Sequence, residues 1–278
     1  MFRSIERSLI YPAPPVERGA WDTNWIQKED VYFESPNGVG RAPVRLHGWF
    51  LEHPAPKSIV LYAHGQSEHV GRLVNVVARL QESLQASVFA FDYRGYGKSE
   101  GVPTEAGCIA DGLAAQQWLA ERTGSLPEEI VVLGRSLGGA VAVAVAAERG
   151  ARALVLENTF SRLTDVASYR FPWLPVKALM SNRYHAIDWI RGYDGPLFQL
   201  HGTRDRVAPA KFARDLFAAC PSEMKRFYIQ RGGRHHDAPP LAFFTRLEEF
   251  LAEVDERNAV LTPDVLYPAA SGELSAIS

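Results

Sequence analysis

The chain has 278 residues, enough to bury one large core or two small ones, and a composition 46% hydrophobic and 22% charged excludes a disordered polyelectrolyte. Thirty basic against 32 acidic side chains leave a formal charge of −2, so the balance calls for neither a nucleic-acid partner nor an anionic membrane. Two cysteines, Cys108 and Cys220, stand too far apart for a disulfide framework or a metal-ligand pair, and read as isolated core thiols.

The opening segment MFRSIERSLIYPAPP lacks the apolar h-region of a signal peptide, and no stretch approaches the ~20 apolar residues of a membrane span. Both features point to a cytoplasmic chain, with an upstream signal or anchor left open. Two candidate strands follow, Asp30 to Glu34 and Leu46 to Leu51, with Pro36, Asn37 and Gly38 supplying turn chemistry between them. They are expected to add an antiparallel edge to a sheet.

Beyond them, short apolar runs rich in β-branched residues alternate with longer helical patterns. The strands, each read as buried on both faces, are Ser58 to His64, Ser87 to Asp92, Ile130 to Gly134, Ala153 to Glu157, Pro196 to His201 and Arg226 to Gln230. The helices are Gly71 to Gln85, Glu105 to Glu121, Leu137 to Arg149, Ala208 to Ala219 and Pro240 to Val254. A βαβα order requires a mostly parallel sheet with helices on both faces, an α/β fold. The run from Thr159 to Gly195 breaks the rhythm with Pro172, Trp173, Pro175 and Trp189, and is read as a small cap at about 159–195. No internal repeat or flexible linker divides the chain, so residues 1–278 read as one domain with an irregular tail from about 256.

Gly134-Arg135-Ser136-Leu137-Gly138-Gly139 lies directly after IVVL and before an Ala/Val-rich helix. In that context GxSxG reads as a strand-to-helix elbow, with a strained serine lifted from the sheet and glycines that let helix and strand pack closely. The bland alternative is a tight Gly-rich turn that only packs or cradles a phosphate. Against a dinucleotide fold, the turn lacks GxGxxG spacing and follows a strand in the middle of the repeat.

A serine hydroxyl needs a base, and the base needs an acid to orient it. Asp205 lies in HGTRDRVAP straight after the strand PLFQLH; its plain reading is a turn aspartate between two arginines. GGRHHDAP follows RFYIQ and offers two histidines. The GG-spacer-His form of the loop favours His235, leaving His236 and Asp237 to orient the loop or start the helix. An oxyanion needs two amide donors: the residue after the nucleophile, Leu137, and Gln66 in the loop His64-Gly65-Gln66-Ser67. No accompanying ligands support a metal role for His64, and no metal or cofactor is expected.

With HGQS, FDYRGYGKSEG, GRSLGG, HGTRDRV and GGRHHD in that order, the chain from about Asp30 to Val254 resembles the α/β-hydrolase superfamily. RFPWLPVKALMSNRYHAIDWI further resembles the cap of its small depalmitoylase-like and peptidase-S9-like branch. The resemblance implies that Asp92, Arg94, Gly95 and Gly97 shape the site wall. Two departures stand out: Arg135 where that branch often has Gln, and His236 where it often has Asn.

The expected activity is hydrolysis of a small-molecule carboxylic ester or thioester through an acyl-serine. A small-peptide serine peptidase and a non-catalytic hydrolase-fold binding protein are the alternatives. Phe160, Phe171, Trp173, Leu174 and Trp189 make the cap aromatic and apolar, either as an acyl pocket, with the four rings as its candidate lining, or as glue between cap and body.

Overall fold

The computed structural model describes residues 2–261. One eight-stranded sheet organises the chain, in the order β1-β2-β4-β3-β5-β6-β7-β8. Strands β1 (Glu29–Ser35) and β2 (Val44–Leu51) pair antiparallel, and β2 pairs antiparallel with β4 (Ala86–Phe91), which gives the expected antiparallel edge. All remaining pairings are parallel: β3 (Ser58–Ala63) with β4 and with β5 (Val131–Arg135), then β6 (Ala153–Glu157), β7 (Leu197–Gly202) and β8 (Lys225–Gln230) in turn.

Side chains alternate across each strand with a period of two, and the sheet has a core on each face. On one face Leu61, Phe89, Phe91, Val132, Leu154 and Leu156 pack with α3 (Glu105–Thr123) and α4 (Leu137–Arg149). On the other, Val60, Val88, Val131, Leu133 and Val155 pack with α2 (Val74–Leu84) and α9 (Leu241–Leu261). Each fully buried Val or Leu contributes about 1.5–3 kcal/mol, which is why continuous apolar runs, rather than alternating ones, mark these central strands.

Topology places the site. From β3 the chain steps to β4 on one side, then crosses through α3 to β5 on the other side of β3. The loops leaving the carboxyl ends of β3 and β5 therefore diverge around a crevice, the position where open α/β sheets bind ligands. The loops after β7 and β8 leave the same edge.

The cap forms between β6 and β7 as α5 (Leu163–Arg170), α6 (Val176–Leu179) and α7 (Ala186–Trp189). Helix α7 packs on α4 and on α8 (Ala210–Ala219), closing the β6-to-β7 crossover, while α5 pairs with α6.

Three sequence expectations need correction. β8 is the sheet's outer strand and is only half-buried, not covered on both faces, because no strand follows it. Helix α9 runs to Leu261, past the expected end at Val254 and past the start of the irregular tail at 256; the rest of that tail lies outside the described residues. The N-terminus carries a helix the reading missed, α1 (Phe2–Ile10), held to the cap end by Glu6, whose Oε1 accepts the Ser181 and Asn182 amides at 2.8 Å. Among the described residues no helix is long and apolar enough to cross a membrane, and Cys108 and Cys220 are buried free thiols.

Candidate active site

Ser136 is the single residue between β5 and α4, with φ 53° and ψ −117°. For a non-glycine residue this left-handed backbone costs of order 1–3 kcal/mol, and surrounding contacts must hold it. They do so through backbone: a Cβ on Gly134 would strike the Gly138 carbonyl, and one on Gly138 would strike the Ala63 and His64 carbonyls. The glycines of GxSxG are thus required by the close approach of α4 to β5 and to the end of β3. Thr159 Oγ1 donates to the Ser136 carbonyl at 2.8 Å, and the Ser136 amide donates to the Glu157 carbonyl at 2.8 Å.

Three side chains from three strand ends meet there. Ser136 Oγ lies 2.9 Å from His235 Nε2, and His235 Nδ1 lies 2.7 Å from Asp205 Oδ2. All three are buried, with Ser136 9% exposed. Burial favours a neutral Asp205, but hydrogen bonds to His201 and His235, the His235 charge and the Ala208 amide outweigh it, holding the carboxyl well below the usual carboxylate range. Its Oδ1 accepts the Val207 and Ala208 amides, both at 2.8 Å, so the acid is fixed as an anion facing the imidazole.

His236 is exposed and sits edge-on to the His235 ring at 5.0 Å, so of the two histidines His235 is the one brought to the serine. Asp237 accepts the Arg234 amide at 2.8 Å and so orients the loop, as expected; α9 starts only at Leu241.

The loop after β3 packs against the serine: a Cβ on Gly65 would come 3.6 Å from Ser136 Cβ. Its turn is closed by the Gly65 amide donating to Glu68 Oε2 at 2.8 Å. Leu137, as the first residue of α4, has no carbonyl one turn back for its amide. Among the described residues, no protein acceptor takes the Gln66 amide either. His64 holds loop shape through its Nδ1, 2.8 Å from the Gly65 carbonyl. Among the described residues no group of three or more His, Cys, Asp or Glu could hold a metal.

The FDYRGYGKSEG segment does more than form a wall. Tyr93 donates to the His64 carbonyl at 3.2 Å and Tyr96 to the Gln66 carbonyl at 3.0 Å, so its tyrosines pin the loop after β3. Asp92 accepts the Val70 amide at 2.8 Å, and the Arg94 guanidinium is spent on Asp111, Ser35 and Pro36. Gly95 and Gly97 take positive φ, and a side chain on Gly97 would overlap the Asp92 carboxylate.

Sequence reasoning missed the side chains that tie these loops together. Arg135 is buried; one nitrogen donates to the His235 carbonyl at 3.1 Å and another lies 3.3 Å from Glu68 Oε1. One guanidinium therefore links the histidine loop to the turn bearing Gln66. Glu157, 3.6 Å away, is pushed by burial to about 7, with Arg135 opposing and Glu68 adding to the shift. Asn158, with φ 48°, donates to the same His235 carbonyl at 3.2 Å and accepts the Gly202 amide at 3.0 Å. Arg135 was marked only by its place between Gly134 and Ser136 and by departing from the Gln common in the branch it resembles; Asn158 left no signal.

The four cap aromatics do not share one setting. Phe160 is buried in the core, Phe171 and Trp189 pack half-buried against it, and Trp173 is 74% exposed, edge-on to Phe171 at 6.3 Å. Phe160 and Trp189 thus pack on the core that the cap shares with the sheet.

The fold is that of an α/β-hydrolase, with the strained turn at Ser136, the Asp205 loop and the His235 loop on one sheet edge. Residues 54–191 match the family model described as serine aminopeptidase, S33. An uncharacterized protein of Mycobacterium tuberculosis H37Rv is 36% identical over 238 residues, covering 84% of this chain and 82% of that protein. Protein bem46 of Schizosaccharomyces pombe is 30% identical over 90% of this chain and 87% of its own. Among solved structures, an esterase of Pyrococcus furiosus superposes with a TM-score of 0.70 at 21% identity, covering 87% of this chain and 98% of that one. The chain belongs to the α/β-hydrolase superfamily.

Proposed function

We propose that the protein is a serine hydrolase that cleaves carboxylic esters or thioesters through an acyl-serine. The observation that carries the reading is the continuous chain Ser136 Oγ, His235, Asp205, with contacts of 2.9 and 2.7 Å in the order acyl transfer requires.

In this reading His235 Nε2 takes the Ser136 proton as Oγ attacks the acyl carbon. The Gln66 and Leu137 amides receive the oxyanion, and their value lies in being fixed before charge develops. His235 then protonates the departing oxygen or sulfur. A water deprotonated by His235 attacks the acyl-serine, and collapse of the second tetrahedral species returns the proton to Ser136 and releases the acid. Asp205 stays ionised throughout, stabilising the imidazolium and fixing the tautomer that leaves Nε2 free to accept.

The family description favours a second reading, a peptidase acting on short substrates with a free N-terminus. A non-catalytic binding role is disfavoured by the intact trio. A panel of 4-nitrophenyl esters, acyl thioesters and aminoacyl amides separates these readings. Turnover of esters or thioesters that vanishes in Ser136→Ala is the expected result; turnover of amides alone selects the peptidase.

A further inference from the structure

We propose that the substrate carries an anionic oxygen group, a carboxylate or phosphate, held by a rim of arginines on the acid and histidine loops; this rests on the hydrolase reading above. Arg204 and Arg206 flank Asp205 on either side, and Arg231 and Arg234 stand just before His235. All four are exposed, although the residues they flank are buried.

Their backbones are fixed to one another. The Arg204 amide donates to the Gly233 carbonyl at 2.8 Å, the Thr203 amide to the Gln230 carbonyl at 3.0 Å, and the Gly232 amide to Thr203 Oγ1 at 2.8 Å. Two loops that supply the acid and the base are therefore one tied unit, from which four guanidiniums project.

None of the four is matched by a carboxylate. Among the described residues, Arg204, Arg206, Arg231 and Arg234 enter no ion pair. Of the other arginines on this half of the sheet, Arg226 pairs with Glu253 at 2.8 Å, Arg152 with Asp255 at 2.6 Å and Arg257 with Glu223 at 3.3 Å, while Arg214 and Arg246 lie on helices α8 and α9 and not on the loops that carry Asp205 and His235. Asp205 is committed to the imidazole, and Asp237 is the one other carboxylate on these loops, engaged with the Arg234 amide. Lys211 extends the positive field toward the cap, its Nζ 5.2 Å from the Tyr169 ring.

Four like charges on tied loops repel one another, and an anion between them relieves that repulsion. The guanidinium is the side chain whose donor fork fits a carboxylate or phosphate. In a chain of net charge −2, the rim sets four exposed positive charges on the two loops that carry Asp205 and His235, a local field that favours anions. It also disfavours the free ammonium of an aminopeptidase substrate, so the inference sharpens the choice between the two functional readings.

The test compares the 4-nitrophenyl half-ester of glutaric acid with 4-nitrophenyl valerate, which have similar acyl chains and differ in charge. At about 20 mM salt the half-ester is expected to show kcat/KM about tenfold higher, and the ratio is expected to shrink toward one at about 0.5 M salt, where charges are screened within a few ångströms. The paired variants Arg204→Gln/Arg206→Gln and Arg231→Gln/Arg234→Gln lower the ratio through KM, whereas Arg226→Gln leaves it in place. Competition by glutarate and by inorganic phosphate then shows which anion the rim prefers. A ratio of one or less at low salt, or a ratio unmoved by both Gln pairs, overturns the inference. Valerate turnover that persists in Ser136→Ala overturns the underlying hydrolase reading instead.

Discussion

The elbow and the cap are separated in the chain by α4 and β6, yet they are built on opposite principles. Around Ser136 the constraints are backbone to backbone: Gly134 against the Gly138 carbonyl, Gly138 against the Ala63 and His64 carbonyls, and a left-handed serine that only such packing sustains. In the cap, short helices meet through side chains, and Tyr169 and Trp173 face solvent at 53% and 74% exposure. Rigid backbone geometry leaves a signature in residue type, whereas side-chain packing tolerates many solutions. Chemistry is therefore encoded tightly, and substrate choice loosely.

Breaking the elbow has the largest expected effects. Ser136→Ala removes the nucleophile while keeping the fold and is expected to lower kcat on the best ester by at least about 10⁴-fold, because the rest of the machinery cannot act without it. Steady-state kinetics beside a circular dichroism spectrum checks both halves of that statement.

Next comes the guanidinium that spans the loops. Arg135→Met frees the His235 carbonyl from one of its two side-chain donors and leaves Glu68 and Glu157 without their cation. Misplacement of the base by about an ångström corresponds to a loss of about 10²-fold in kcat, with little change in KM. Arg135→Lys retains the charge but not the fork and is expected to fall between the two; equal activity of all three proteins contradicts a positioning role.

His236→Ala sharpens the comparison from the other side. Its ring touches His235 but not the serine, so kcat/KM is expected to stay within about threefold of the parent, against a loss of at least about 10³-fold in His235→Ala. The reverse ranking makes His236 the base and contradicts the assignment.

The smallest effect concerns pH. Glu157 is held at about 7 in the folded protein, above its unfolded value, so the fold binds an extra proton between the two values. Stability therefore falls as pH rises through that window, and Glu157→Gln is expected to flatten the slope of the urea midpoint there. Asp205 acts in the opposite sense: its carboxyl is depressed, so its contribution is full above the ordinary carboxylate range and is lost only in strong acid.

The same contrast explains what could be read in advance. The parallel strands were legible because strands covered on both faces become continuous apolar runs, and β8 was misjudged because RFYIQ looks the same whether or not a strand follows it. Ser136, Asp205 and His235 were legible because each sits at a strand end in a turn that demands glycine or a fixed order. Arg135 and Asn158 were not, since nothing in a linear sequence shows two side chains meeting one carbonyl. Helix α1 escaped because its contact partners, Ser181 and Asn182, lie far away in the chain. The cap aromatics announced an apolar surface without showing that Phe160 turns inward and Trp173 outward.

The central claim is that Ser136 is a nucleophile activated by His235. Labelling with a fluorophosphonate probe, followed by peptide mapping, tests it most directly. The account predicts one adduct, on Ser136, lost in Ser136→Ala and strongly slowed in His235→Ala while both variants remain folded. An adduct on another residue, or labelling that persists undiminished in Ser136→Ala, contradicts it.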